Sequence, residues 1–319
     1  MLRALSFCFL LWFGCASALA QQWPQRPVHL IVPYAAGGGT DIVARVLGRK
    51  LGEIFGQSFV VENKSGASGM IGAADVAKSN PDGYVLLVAS PAEVALNQNL
   101  FKNMTYDPLN DLAPITLLAW TPLVLAAHPS FPASTPEELI KLAQTQQVDF
   151  SSPGIGSSHH LAGEYFNAIA HGKFVHVAYR GAAPAVTDAV SGQVKLTISG
   201  MPPVVSFLQS HALKAIAVTS KQRSPLFPDV PALAEIKGFE DFDFTNWFGL
   251  LARAGTPQEI IDRLQKASVE ALRDPQVQKI LESQAAVPVG DTPAEFHDFI
   301  RAEAAKYARI VAITHLELK

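Results

Sequence analysis

Cysteine is nearly absent: Cys8 and Cys15 are the only two in 319 residues. If the leading segment that carries them is removed, disulfides, thiolate metal sites and cysteine catalysis are all excluded. Runs of Lys or Arg are absent too, and the formal net charge is -3. A nucleic-acid surface is therefore not expected. Beyond the first twenty residues no stretch is long and apolar enough to cross a bilayer. Nucleotide signatures are missing. There is no Gly-x-x-x-x-Gly-Lys-Ser/Thr, and Gly37-Gly38-Gly39 lacks the Gly-x-Gly-x-x-Gly spacing. Gly66-Ala67-Ser68-Gly69 is not Gly-x-Ser-x-Gly, so a nucleophile elbow is absent. Adjacent His159 and His160 cannot share one helix face, which argues against a metal pair.

What is present begins with the N-terminus. Arg3 supplies a short positive region, Leu5 to Phe13 is almost wholly apolar, and Ala18-Leu19-Ala20 is small-x-small. This predicts a secretory signal over residues 1–20, cleaved after Ala20. The rival reading makes Cys15, preceded by Gly14, a lipidated N-terminus, but the bulky Trp12 and Phe13 fit a lipobox poorly. A cysteine-free exported chain suits the periplasm. The remaining length and 49% apolar content allow two lobes.

Short apolar runs alternate with helical periodicity. Val28–Tyr34, Phe59–Asn63 and Tyr84–Ala89 read as strands, with helices from Thr40 to Phe55 and from Gly69 to about Lys78. Thr40-Asp41 reads as the cap of the first helix. Ile115–Trp120 and Leu123–Ala127 read as two strands separated by Thr121-Pro122. A second alternating set follows, with strands near Phe150, Val177, Thr197 and Ala217 and helices from Thr135, His159 and Ala183. The last third carries a long amphipathic helix through Ile260 and Leu272 and a final helix over about 293–313. The order argues for parallel βαβ units with right-handed crossovers.

The candidate site comes from glycine loops that join strands to helices. In Tyr34-Ala35-Ala36-Gly37-Gly38, ahead of Asp41, a strand ends on glycines and a helix begins. Helix N-termini offer unpaired N–H groups and a positive dipole end, so such a loop binds an anion without a cationic side chain. Asp41 is read as a cap, with acceptance of a ligand hydrogen bond as its functional alternative. The loop with Ser152, Gly156 and Ser157 repeats the design, with His160 just behind it. Arg180-Gly181-Ala182 opens a third helix, and Arg180 is read either as a partner for a distal anionic group or as a plain surface charge. Ser90 ends the third strand and completes the predicted set. Trp247 is read as a core or hinge aromatic. No cofactor and no metal is expected.

The ordered motifs resemble the tripartite tricarboxylate transporter receptor family, the Bug proteins. They include Val32-Pro33-Tyr34-Ala35-Ala36-Gly37-Gly38 with Asp41, Val61-Glu62-Asn63-Lys64, and Pro81-Asp82-Gly83-Tyr84. Further along come Ser152-x-Gly154-x-Gly156-Ser157-x-x-His160, Tyr179-x-Gly181-x-x-Pro184, and Trp247-x-Gly249-Leu250 with Gly255-Thr256-Pro257. The resemblance implies an α/β, two-lobe, type II periplasmic-binding-protein fold, each lobe a mixed sheet flanked by helices, with a double crossover hinge. It implies that the loops matching Tyr34–Asp41 and Ser152–Ser157 hold a ligand carboxylate, partly through water, with Gly181-Ala182 beside it. It also implies delivery to a sodium- or proton-driven membrane permease pair. Ile198-Ser199-Gly200-Met201 departs from the Met-Phe-Asp-like segment of many relatives, near the distal pocket.

The expectation is thus a non-enzymatic, monomeric receptor for a small carboxylate. Lobe 1 would comprise 26–123 and 246–319, and lobe 2 would comprise 124–245. Crossings are expected near Trp120–Val124 and Asp243–Trp247. The competing classes are a sensor subunit and an exported hydrolase, the latter needing a nucleophile–base pair.

Overall fold

The computed structural model describes residues 23–316 and 318. The predicted signal, its cleavage point, Cys8 and Cys15 lie outside the described residues. Strand β1 (Val28–Val32) leads through the glycine loop into α1 (Gly39–Phe55), and β2 (Phe59–Asn63), α2 (Met70–Ala77) and β3 (Val85–Ala89) follow. Irregular helical turns over 92–99 then lead to β4 (Leu112–Ala127). Next come α3 (Pro136–Thr145), β5 (Val148–Ser152), α4 (Ser158–Ala170), β6 (Phe174–Ala178), α5 (Ala182–Val190), β7 (Leu196–Gly200), α6 (Val205–Gln209) and β8 (Lys214–Val218). The chain returns through β9 (Thr245–Arg253), α7 (Gln258–Arg273), α8 (Pro275–Ser283), β10 (Val287–Pro288) and α9 (Pro293–Thr314).

Two mixed sheets share one strand. The order runs β2-β1-β3-β9-β4 and continues β7-β5-β6, while β8 and β10 also pair with β4. Within each half the first strands pair in parallel, as in Leu30 beside Val61 and Leu86, and Phe150 beside His176 and Leu196. Strands β4 and β9 are antiparallel and pair Trp120 with Trp247, Thr121 with Asn246 and Pro122 with Thr245. The fold is the α/β, two-lobed arrangement, a mixed sheet with flanking helices in each half.

The sheets stand because their strands are apolar on both faces. Leu30, Ile31 and Val32 are buried, and so are Leu86, Leu87 and Val88. Helix α1 turns Val43, Leu47 and Leu51, spaced by four, into this core. Each such side chain contributes about 1.5–3 kcal/mol. Helix α9 begins in a capping box formed by Thr292 and Glu295. It packs against β4, against the turns at 92–96 and against α4, so it touches both halves. Trp247 is fully buried, donates from Nε1 to Glu303 Oε2 at 3.0 Å, and meets Phe296 edge-on, in keeping with a core aromatic.

Two local expectations are corrected, and two elements are added. Ile115–Trp120 and Leu123–Ala127 form one continuous strand, β4, rather than two. Pro122 is accommodated because β4 changes partners there, leaving β9 for β7 and β8. The helix expected to be capped by Thr40-Asp41 starts earlier: Gly38 is its N-cap and makes no side-chain bond. Helix α8 and the short β10, neither foreseen, occupy the segment between α7 and α9.

Candidate functional site

Three helices begin at one place. The first turns of α1, α4 and α5 bring Gly38, Gly39, Thr40, Ser157, Ser158, His159 and Ala182 to the wall of a small cavity of about 30 Å³. Tyr34, Ser90, Ala92, Pro153, Gly200, Pro203 and Asn246 complete the lining. Each half supplies part of the wall, and Asn246 comes from the start of β9. Among the described residues no Lys, Arg, Asp or Glu side chain lines the cavity. What faces it instead are helix N-termini, whose first N–H groups have no intrahelical acceptor and which carry the positive end of the helix dipole.

The loop after β1 is built from below. Asp41 is buried and accepts from Gly37 N at 3.0 Å, Arg45 Nε at 2.9 Å and Asn63 Nδ2 at 3.0 Å. Arg45 closes the ion pair at 2.9 Å on the other carboxylate oxygen. Asn63 also donates to Tyr34 O at 3.0 Å, tying β2 to the loop. Burial alone would raise the Asp41 pKa, but the bonds from Arg45, Gly37 and Asn63 outweigh it and hold it below the ordinary value. Asp41 therefore stands beneath the loop with its oxygens occupied, not on the cavity wall. Gly37 spends its N–H on Asp41, while Ala36 and Gly37 face solvent.

The second loop is held in a similar way. Ser157 caps α4, accepting from His160 N at 3.1 Å and donating to Gly154 O at 2.8 Å. Ser152 Oγ contacts His176 Nε2 at 2.6 Å and bonds the Gly154 main chain at 3.2 Å. His160 Nδ1 accepts from Gly156 N at 3.1 Å, and its ring stacks on His176 at 3.8 Å. Glu164, four residues on, lies 3.5 Å from His160 Nε2. Burial, with His160 beside it, pushes His176 down to about 3, so that ring is neutral.

The predicted residues therefore divide. Tyr34, Gly38, Ser90, Ser157 and Ala182 reach the cavity. Ala35 and Gly181 meet where the two halves touch: a Cβ on Gly181 would lie 3.1 Å from Ala35 Cβ. Asp41, Ser152, Gly156 and His160 support the loops from behind. Arg180 is exposed and forms no hydrogen bond or ion pair among the described residues. The histidine on the wall is His159, not His160, and burial pushes it down to about 3, so it brings no charge. Sequence reasoning also passed over Thr40, Asn246 and Glu93. Glu93 is fully buried and accepts from Tyr34 Oη at 3.0 Å and Ser90 Oγ at 3.0 Å.

Residues 43–316 match the receptor family of the tripartite tricarboxylate transporter, TctC. The protein BugT of Bordetella pertussis is 37% identical over 307 residues, covering 95% of this chain and 94% of that one. An R. palustris protein solved with adipate is 32% identical, with a TM-score of 0.89 over 92% of this chain and 99% of that chain. MatC of Rhodopseudomonas palustris, solved with bound malate, is 30% identical, with a TM-score of 0.85 over 91% of this chain and 100% of that chain.

Proposed function

The chain belongs to the tripartite tricarboxylate transporter receptor family, and from that premise we propose that it captures a small carboxylate between its lobes in the periplasm. The acid is a dicarboxylate, an aromatic acid or an amino-acid-like one. It is passed to the membrane permease pair of a tripartite secondary transporter. The observation that carries this reading is the convergence of three helix N-termini on a cavity that, among the described residues, no Lys or Arg lines. Main-chain N–H groups and aligned dipoles bind an anion there without a counter-charge to strip away on release. The ligand roles fall to the amides of Gly38–Thr40, Ser158–His159 and Ala182, with the Tyr34 and Ser90 hydroxyls. Bound malate and bound adipate in two relatives support carboxylate as the anion.

Ligand-binding clefts span roughly 300–1,000 Å³. The present cavity is far smaller, so the halves must part to admit an acid and close on it. The hinge is assigned to the crossings in β4 and β9, with lobe 1 as 26–123 and 246–319 and lobe 2 as 124–245. The change of partners at Pro122 supports this boundary. Ligand that bridges the lobes favours the closed form by its differential affinity. Arg180, next to Gly181, is assigned a second anionic group on longer acids.

A receptor rather than a hydrolase is supported by the serines. Of the Ser–His contacts, Ser152 to His176 at 2.6 Å involves a fully buried hydroxyl off the cavity, and Ser130 to His128 at 2.8 Å is exposed and also off it. On the wall itself Ser158 and His159 are chain neighbours, with Oγ 3.5 Å from Nδ1, at the outer limit of a hydrogen bond. The test is mass spectrometry of acids released from the purified protein, followed by thermal-shift titration with each. A stabilising carboxylate is expected. Stabilisation by neutral compounds alone would overturn the reading.

A further inference from the structure

One buried carboxyl stands directly behind the cavity wall. Glu93, in the turns after β3, is 0% exposed. Its Oε2 lies 3.0 Å from Tyr34 Oη and 3.0 Å from Ser90 Oγ, and those two hydroxyls lie 3.2 Å apart. The three oxygens form a closed triangle. Ser90 N donates to the other carboxyl oxygen at 2.5 Å. Two corners of the triangle, Tyr34 and Ser90, line the cavity.

Among the described residues no cation bonds to this carboxyl: its partners are the Tyr34 and Ser90 hydroxyls and the Ser90 amide. The Tyr106 hydroxyl donates to the Glu93 main-chain oxygen at 2.6 Å. The Gly66–Gly69 turn faces it with main chain at Gly69. From α9, which packs on the same turns, Glu303 and Lys306 pair with each other, and Glu303 accepts from Trp247. Tyr307, also on α9, is neutral, since burial raises its phenol well above the ordinary value. Desolvation accordingly raises Glu93 to about 7, against the lowering effect of its hydrogen bonds. Burial, and Glu93 beside it, keep the Tyr34 phenol protonated.

Counting protons on the triangle gives two states. When Glu93 is ionised, both hydroxyl protons are drawn to it, and Tyr34 offers only lone pairs to the cavity. A carboxylate there meets lone pairs backed by a like charge. When Glu93 is protonated, three protons serve three oxygens. Glu93 then donates within the triangle, and the Tyr34 O–H is released to donate into the cavity. We propose that Glu93 is a positioning residue that makes carboxylate capture draw one proton onto the protein. The inference rests on the carboxylate-binding reading above. In the balanced step, ionised ligand, ionised Glu93 and one proton from solvent give a complex with neutral Glu93 and a Tyr34–ligand hydrogen bond.

The sign follows from linkage. A bound anion raises the Glu93 pKa above its free value, so binding is favoured at low pH. Above the free value, affinity falls by up to about tenfold per pH unit until the bound value is reached. Calorimetry with adipate and malate, in Hepes and in imidazole, which differ in ionisation heat and offer the site no small inorganic anion, reads proton uptake from the difference in buffer heats. At about pH 8 both acids are dianions, since even the second carboxyl, raised above the ordinary value near 4 by the charge on the first, has lost its proton, so uptake there belongs to the protein. We expect roughly 0.7–1 proton per ligand at about pH 8 and a markedly smaller value at about pH 6.5. Glu93→Gln should abolish uptake and flatten the pH profile, since its amide donates as the protonated acid does. Tyr34→Phe should weaken binding about tenfold near pH 6.5. Binding by wild type without uptake at about pH 8 would overturn the inference while leaving the receptor reading intact. That measurement stands even if Glu93→Gln fails to fold. If neither acid binds, the same titrations use the acid released from the purified protein, and if no carboxylate binds at any pH the inference falls together with the carboxylate reading.

Discussion

Gly181 and Ala35 touch across the cleft, so closely that a Cβ on Gly181 would sit 3.1 Å from the Ala35 Cβ. The contact joins the start of α5 to the loop before α1, and on the proposed division it forms only when the lobes are together. Gly181 also holds φ at +136°, which side-chain-bearing residues rarely adopt. Gly181→Ala adds backbone strain of about 1–3 kcal/mol and props the closed form open. The expected outcome is a fall in affinity of about tenfold or more, with a larger radius of gyration at saturating ligand. Calorimetry and small-angle scattering check both, and wild-type values would remove Gly181 from the closing surface.

Gly38 separates fold from function. Its φ is -80°, and a Cβ there meets Ala35 O at 3.7 Å and Ala182 Cβ at 4.0 Å, which are ordinary contacts. Gly38→Ala should therefore fold normally and bind with modest loss. Gly38→Leu fills the space where three helix ends converge. It should lose at least about 100-fold in affinity, or roughly 2.7 kcal/mol, with its melting temperature within about 3 °C of wild type. A large stability loss, or retained affinity, would contradict the placement of the anion against this loop.

Asp41 links the loop to pH. Its folded pKa lies below the ordinary carboxylate value, because the bonds from Arg45, Gly37 and Asn63 outweigh burial. A lowered folded pKa means stability that is present above the unfolded value, near 4, and lost as pH falls through the folded value. Wild type should thus lose more stability than Asp41→Asn on going from about pH 5 to pH 3. At neutral pH Asp41→Ala should cost about 1–2 kcal/mol, since half of the pair, Arg45, is exposed. Urea melts at the two pH values test this, and parallel curves for wild type and Asp41→Asn would refute it.

The strand–glycine–helix loops were legible because period, turn chemistry and helix start all point the same way at Tyr34–Asp41 and Ser152–Ser157. What lies behind them was not. Glu93 belongs to an irregular turn with no helical period, and its partner Tyr34 is 59 residues away in the chain. Asn63 reaches Asp41 across 22 residues, and Arg45 carries no mark of its role. His159 and His160 are neighbours on a helix that turns about 100° per residue, so only one can face the cavity. Composition cannot say which. Pro122 reads as a strand break, yet it falls where β4 exchanges one sheet for the other. Only the pairing of β4 with β9, β7 and β8 reveals that.

The most direct measurement sets a carboxylate against its neutral twin. Adipate and adipamide, and malate and its diamide, are titrated by calorimetry into the same protein. A cavity gripped by helix N-termini and main-chain amides should bind at least one of the acids with Kd below about 10 μM. Its amide should bind at least about 100-fold more weakly, because the charge that the dipoles hold is gone. Equal affinity for acid and amide, or binding of the amide alone, would contradict an anion site at Gly38, Ser157 and Ala182.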